Sequence, residues 1–308
     1  MMQQIKTFGS FRPIIRRTKT TEKDMANTLD PQYLAVMKDI YDNGTDSKDR
    51  TGVGTKSLFC KQLRCDLKEG FPILTFRQHS FKIAFYETMM FLNGETDSVK
   101  WLESRGINIW KGNTSREFLD NRGLQHLPVG DIGYAYGKIW NDFDGTNQLK
   151  QIFETLQKNP YDRRMVLSAW HPARIHEAAL PPCHIFAQFY CRNNTLSCMF
   201  NMRSLDFWSG TGYDLQCYGI ITFLFAKALG MEVGELVMNS TDTHLYNNGD
   251  SVYKDTLDRN MTVFHDLPKL DIKKDIKTLD DICALQWDDI QLVDYKHNGK
   301  TKKVDMAI

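Results

Sequence analysis

Cys183 lies in the stretch ALPPCHIFAQFY, directly after Pro181 and Pro182, beside His184 and at the head of an apolar run. A thiolate is a strong nucleophile when a cation stands near it. A cysteine in an apolar run is equally compatible with simple packing, but two prolines fix the direction from which the chain arrives. Four arginines are candidates for that cation and for an anionic substrate: Arg50 in DRTGVGT, Arg163 and Arg164 in YDRRMVL, and Arg203 beside Ser204 in NMRSLDF. Guanidinium forks match phosphate oxygens two at a time. The same residues also fit a set of unrelated surface arginines, although Arg203 ends an apolar strand pattern. Glu87, in FYETMMFL, is a carboxylate on an apolar helix. Burial would push its pKa into the range useful for moving protons, and a buried ion pair is the other reading. His244 and Tyr246, in STDTHLYNNG, fall on one face of a strand and could hold a sugar hydroxyl, or simply end a polar strand.

The elements that must position these residues are legible as periodicities. PQYLAVMKDIYDNG predicts a helix with Leu34, Met37 and Tyr41 on one face and a stop at Gly44. FKIAFYETMMFLNG predicts a buried helix ending at Gly94, and NQLKQIFETLQKNP an amphipathic one closed by Pro160. SLFCKQLRCDL, RMVLSAW, HIFAQFYCR, TLSCMFNMR and GELVMNSTDTHLY read as strands. LQCYGIITFLFAKALG is apolar nearly all round and reads as a central buried helix. Regular strand–helix alternation, GxGxxG and the P-loop are all missing, which excludes the commonest nucleotide folds. The expected fold is α+β: one large mixed or antiparallel sheet backed by a buried helix, in a single domain over 29–308.

With 308 residues, 42% of them hydrophobic, and a net charge of +1, the chain has material for a sizeable core and no overall field for nucleic acid or membrane. The seven cysteines contain no CxxC pair and there is no ligand-spaced His/Cys/carboxylate cluster, so neither a disulfide framework nor a metal is expected. No apolar run has the length of a membrane span, and no secretory signal is visible. Residues 1–28 carry Lys6, Arg12, Arg16, Arg17, Lys19 and Lys23, and are expected to be a flexible basic arm rather than a transit peptide.

In order along the chain, DRTGVGT, FPILT, YETMMFLNGET, INIW, DIGYAYGKIW, DRRMVLSAW, LPPCH, RSLDFWSGTGYD, DTHLYNN and the terminal MAI resemble the thymidylate synthase family over nearly everything after residue 29. The resemblance implies an obligate homodimer joined through the sheet face, with a cytoplasmic location (the host cytoplasm for a viral protein). It implies a nucleoside 5'-monophosphate held by Arg50, Arg203, Ser204 and, from the partner, Arg163 and Arg164. Cys183 would add to C6 of the pyrimidine. Glu87 would organise water and protons, Tyr136 would assist beside the nucleophile, and His184 would face the base. His244 and Tyr246 would hold the 3'-hydroxyl. The cosubstrate would be 5,10-methylenetetrahydrofolate, met by Trp110, Asp206, Arg77 and the terminal Ile308.

Departures from the family pattern bear on the substrate. Synthases read LGxPFN where this chain reads SGTGYD, so the base-pairing Asn becomes Asp214. An ionised carboxylate only accepts hydrogen bonds and would meet O4 of uracil acceptor to acceptor. A neutral one would donate to N3 of cytosine and accept from the 4-amino group. Met202 before Arg203, in NMRS, also resembles the deoxycytidylate hydroxymethylase branch found in phages. His171 replaces the Asn of SAWN and Tyr134 the Pro of GPVYG; with Met202, Ser209 and Gly212, His171 is consistent with a wetter pocket. The first expectation is therefore hydroxymethylation of dCMP, with water capturing the C5 methylene. A dCMP methylase comes next, and an ordinary thymidylate synthase after it. A catalytically silent nucleotide- or RNA-binding relative is disfavoured, because Cys183, Glu87 and the arginines are kept together.

Overall fold

The computed structural model describes residues 27–49, 51–259 and 263–305. The helices are α1 (Leu29–Asn43), α2 (Phe81–Leu92), α3 (Ser98–Trp101), α4 (Arg116–Asn121), α5 (Tyr136–Asn141), α6 (Gln148–Lys158), α7 (Thr211–Leu229), α8 (Asp250–Asp258) and α9 (Leu279–Cys283). The strands are β1 (Thr45–Ser47), β2 (Thr55–Asp66), β3 (Val166–Ser168), β4 (His184–Arg192), β5 (Thr195–Asp206), β6 (Glu232–Tyr246), β7 (Lys269–Ile272) and β8 (Ile290–Val293).

Six strands form one mixed sheet in the order β1-β2-β6-β5-β4-β3, and β7 pairs separately with β8. All pairs in the large sheet are antiparallel except β5 with β6. A parallel pair needs a crossover, and α7 supplies it. One strand–helix–strand unit therefore exists inside a sheet otherwise lacking that alternation. The reason lies in α7 itself. Leu215, Ile220, Ile221, Leu224 and Phe225 are all fully buried, so the helix has to be covered on every side. The sheet lies under it and α2 beside it. At the far edge, Gly137 lets α5 approach α2: a Cβ there would sit 2.6 Å from the Phe91 Cα.

Phe225 stacks on Phe189 and meets Phe153 edge-on, both with ring centres 5.4 Å away. Phe225→Ala is expected to cost about 3–5 kcal/mol, read as a lower midpoint of chemical unfolding.

The sheet is irregular where the site lies. In β2, Cys60 sits at φ +55° between Phe59, paired with Asp242, and Lys61, paired with Ser240, without a shift of register. In β4 the register slips between His184 and Phe186, one residue after Cys183. An extra residue at a strand end re-aims the chain there. Phe59, on β2, is 82% exposed and Tyr190, on β4, is 54% exposed, so part of the sheet's apolar surface has no cover within the chain.

Asn27 is already buried and bonds Asp30, Thr75 and the His265 carbonyl. The rest of the basic arm, Arg50 and Ile308 lie outside the described residues. The short α4, α8 and the β7–β8 pair carry little periodicity and have no counterpart among the elements expected from the sequence.

Candidate active site

Cys183 precedes β4, and its carbonyl accepts the Arg203 backbone N–H at 2.8 Å, which fixes it beside β5. Its own N–H donates to the Tyr136 hydroxyl, also at 2.8 Å. The proline collar has a second use. Arg203 Nε donates to the Pro182 carbonyl at 2.9 Å and Nη2 to the Pro181 carbonyl at 3.0 Å. The guanidinium is thereby held with Nη2 4.0 Å from the Cys183 sulfur. A cation fixed at that distance favours the thiolate.

His184 is not that cation. Burial drives its pKa down to about 3, so the ring is neutral. Its Nδ1 lies 2.8 Å from the Tyr218 hydroxyl, and its ring stacks on Tyr136 at 4.1 Å. Tyr136 sits at φ +32°, a region unfavourable for a tyrosine, and is kept there by this stack and by its bond from Cys183. Burial raises the Tyr136 phenol well above its usual range, and the charges of Cys183, Asp214 and Glu87 push the same way. The four groups thus lie within electrostatic reach of one another.

Glu87 projects from α2, and its Oε1 accepts the Trp110 indole N–H at 2.8 Å. Burial raises its pKa to about 7, partly offset by that hydrogen bond. A carboxyl poised there can take up and release protons near neutrality. The folded pKa lies above the ordinary value of 4.5, so the folded chain keeps a proton that the unfolded chain has released. Stability therefore falls as pH rises between those two values and levels off above the higher one. Glu87→Gln is expected to flatten that slope in unfolding midpoints and to remove a limb near neutral pH from kcat/KM.

Asp214 stands in the first turn of α7 and is partly buried. Burial raises its carboxyl well above the usual range, and the charges of Glu87 and Asp206 add to this. Its neutral form is the favoured one. The adjacent departures fit together sterically. A Cβ on Gly212 would lie 2.2 Å from the His79 ring, so the imidazole occupies space that a proline there would deny it.

A cavity of about 580 Å³ is lined by Cys183, Arg203, Ser204, Asp206, His244 and Tyr246, together with Phe118, Asn121, Arg122, Leu180 and Pro181. That volume suits a nucleotide. His244 and Tyr246 share a face as their spacing predicts, with rings 5.1 Å apart and perpendicular. Asp206 Oδ1 accepts the N–H groups of Trp208 and Ser209, which fixes its orientation. Arg77 lies elsewhere. It stacks on Trp208 at 3.9 Å, bonds the Trp208 carbonyl, and lines a second cleft of about 550 Å³ with Ser209, Tyr213, Lys300, Lys302 and Lys303.

Arg163 and Arg164 are both exposed, and Arg164 is paired with Asp162 of its own subunit at 2.5 Å. Neither lines the cavity. His171 also stays outside it: the ring bonds Asp144 at 2.8 Å, stacks on Phe143 at 4.5 Å and meets Tyr134 edge-on. Met202 is buried in β5. Tyr218 was missed by the sequence reading; its one signal was a hydroxyl on an otherwise apolar helix. Cys65, Cys198 and Cys217 are buried, with thiols pushed upward by desolvation, and serve packing.

A family model described as thymidylate synthase matches residues 31–308, and so includes every site residue above. The chain belongs to the thymidylate synthase family. It is 38% identical over 296 residues to the thymidylate synthase of Saccharomyces cerevisiae, covering 88% of this chain and 95% of that one. It is 36% identical to the thymidylate synthase of Mycoplasma mobile, covering 88% and 98%. The thymidylate synthase of Human herpesvirus 8 is 36% identical, with 90% and 84% covered.

The family comprises folate-dependent pyrimidine C5 methyltransferases, generally homodimers, that use methylenetetrahydrofolate and no metal. Among the described residues no group of His, Cys, Asp and Glu is placed to hold a metal ion. No described helix is long and apolar enough to cross a membrane. The second cleft fits the cosubstrate: Arg77 Nε is buried without a partner, and the lysines beside it suit the carboxylates of a folate.

Proposed function

We propose that this family member transfers a one-carbon unit to C5 of dCMP. The observation that carries the reading is Asp214, a carboxyl kept neutral by burial at the position where the family reads its base. A neutral carboxyl offers one donor and one acceptor, the complement of cytosine N3 and its 4-amino group.

Cys183 attacks C6, forming an S–C6 bond and moving an electron pair towards C5. Arg203 stabilises the thiolate beforehand, and its hold on the Pro181 and Pro182 carbonyls sets the line of attack. Methylenetetrahydrofolate supplies the one-carbon unit and, for a methyl product, the hydride. Glu87, with its pKa near neutrality, accepts and returns protons through water. Removal of the C5 proton would free the folate from the new carbon, and hydride gained at that carbon would re-form the C5–C6 double bond as the S–C6 bond breaks and Cys183 leaves. In a homodimer, Arg163 and Arg164 would enter the partner's cavity. Their exposure and the uncovered Phe59 and Tyr190 support that arrangement.

A methyl product is favoured over hydroxymethyl. The relatives cited are all named thymidylate synthases. Of the residues behind the expectation of a wetter pocket, His171 is committed to Asp144 and Phe143, Met202 is buried, and His79 fills the space over Gly212, while Ser209 lines the second cleft. The second reading, methylation of dUMP, rests on the same relatives' names. One assay separates these outcomes. The protein is incubated with methylenetetrahydrofolate and either dCMP or dUMP, the nucleotide is weighed by mass spectrometry, and dihydrofolate is followed by absorbance. Methyl-dCMP with stoichiometric dihydrofolate supports the proposal. Hydroxymethyl-dCMP without dihydrofolate restores the first expectation from the sequence. Turnover of dUMP alone removes the cytosine reading.

A further inference from the structure

Arg122 brings a second guanidinium to the wall of the Cys183 cavity, and none of the motifs that identify the family contains it. Its placement is built rather than incidental. Ser115 caps α4 by accepting the Phe118 N–H, and the Arg122 N–H closes the helix on the Phe118 and Leu119 carbonyls. Leu119 and Leu124 pack with Ala179 in a small core of their own, separate from the main one. Arg116 straps the following loop, donating to the Leu124 and Leu127 carbonyls and pairing with Asp120. This unit is seated on residues 178–180, immediately before the proline collar.

The head group of Arg122 makes one long hydrogen bond, to the Ala178 carbonyl at 3.4 Å, and has no carboxylate partner among the described residues. Arg203, by contrast, spends Nε and Nη2 on the proline carbonyls. Among the described residues at the cavity, Arg122 is therefore the guanidinium less committed to the protein, with most of its donors available to a ligand.

We infer that Arg122 is a substrate-binding residue that takes an anionic group of the substrate pair. That group is either the nucleotide 5'-phosphate or a folate carboxylate. This rests on the one-carbon-transfer reading of the site, but not on which base is read. A charge-assisted hydrogen bond to such a group is worth on the order of tenfold to a hundredfold in affinity.

The test uses the full chain as wild type, Arg122→Ala and Arg122→Lys. Each is titrated by calorimetry with dCMP, dUMP, deoxycytidine and deoxyuridine, and KM for methylenetetrahydrofolate is measured with whichever nucleotide the wild type turns over. Weaker binding of the monophosphates by at least about tenfold in Arg122→Ala, with the nucleosides unmoved and partial recovery in Arg122→Lys, assigns the phosphate. Unchanged nucleotide binding with a KM for the folate raised at least about tenfold assigns the carboxylate. If neither moves, Arg122 is not a binding residue and the inference falls. Circular dichroism of each variant separates that result from misfolding, and an exposed arginine is a position where alanine should be tolerated. A wild type that prefers dUMP would overturn the cytosine reading while leaving the Arg122 result intact.

Discussion

Cys183→Ala abolishes turnover, by at least about 10⁴-fold in kcat, while the nucleotide still binds within about threefold of wild type. The two halves of this expectation have different physical origins. The reaction needs an S–C6 bond, and no other cysteine lines the cavity. Cys65, Cys198 and Cys217 are buried with raised thiol pKa values, so none can substitute. The groups proposed to bind the nucleotide are others: Arg203, Ser204, His244 and Tyr246 reach the cavity from β5 and β6, strands that the substitution leaves alone. Removing the thiol also leaves intact the bond from the 183 N–H to the Tyr136 hydroxyl and that from the Arg203 N–H to the 183 carbonyl, because both are made by backbone atoms of residue 183. Single-turnover kinetics and calorimetry read the two quantities separately. Turnover near wild type would remove Cys183 as the nucleophile. Loss of binding together with turnover would mean that the sulfur helps to shape the pocket, and that the roles of Arg203 and Cys183 are not separable.

How far the sequence could lead depended on the kind of information each residue carries. α2, α6, α7 and the long strands announce themselves by period, because each must bury a continuous face or be covered all round. The pairing of His244 with Tyr246 follows from strand geometry alone. Electrostatic roles were less accessible. His184, adjacent to the nucleophile, is an obvious candidate for its cation, yet desolvation and its stack on Tyr136 make it neutral. The cation is Arg203, twenty residues on, and what aims it is a pair of proline carbonyls whose direction no periodicity encodes. Gly212 and His79 are far apart in the chain and look like independent substitutions until the ring is seen occupying the space above the glycine. Tyr134 and His171 similarly become one unit, joined by Arg174, which stacks on Tyr134 at 3.5 Å and bridges to Asp144. Such pairs are legible only after the fold brings them together.

Asp214→Asn moves base preference from dCMP towards dUMP, by roughly 1–3 kcal/mol in the ratio of kcat/KM values, or about tenfold to a hundredfold. In the wild type the carboxyl is held neutral by burial and by the charges of Glu87 and Asp206, so it can donate to N3 of cytosine. Uracil presents a donor at N3 and an acceptor at O4, the opposite order. The neutral carboxyl can satisfy that order by rotating its hydroxyl to the other oxygen, so discrimination depends on which oxygen carries the proton. Gly210 and Gly212 bear on that choice. A Cβ on Gly210 would lie 3.3 Å from Asp214 Oδ2, so the glycine leaves this oxygen uncrowded. Gly212 admits the His79 ring beside the same turn. An Asn amide has no proton to relocate. It offers NH₂ to O4 and its carbonyl to N3–H, and uracil becomes the matched base unless the amide flips. The measurement is the kcat/KM ratio for the two nucleotides in wild type and variant, at several pH values. Because burial raises the Asp214 pKa, the wild-type preference should weaken as pH rises and the carboxyl ionises, while that of the Asn variant stays flat. A ratio unchanged by the substitution would place base recognition outside α7 and leave dUMP, the second reading, as the substrate to pursue.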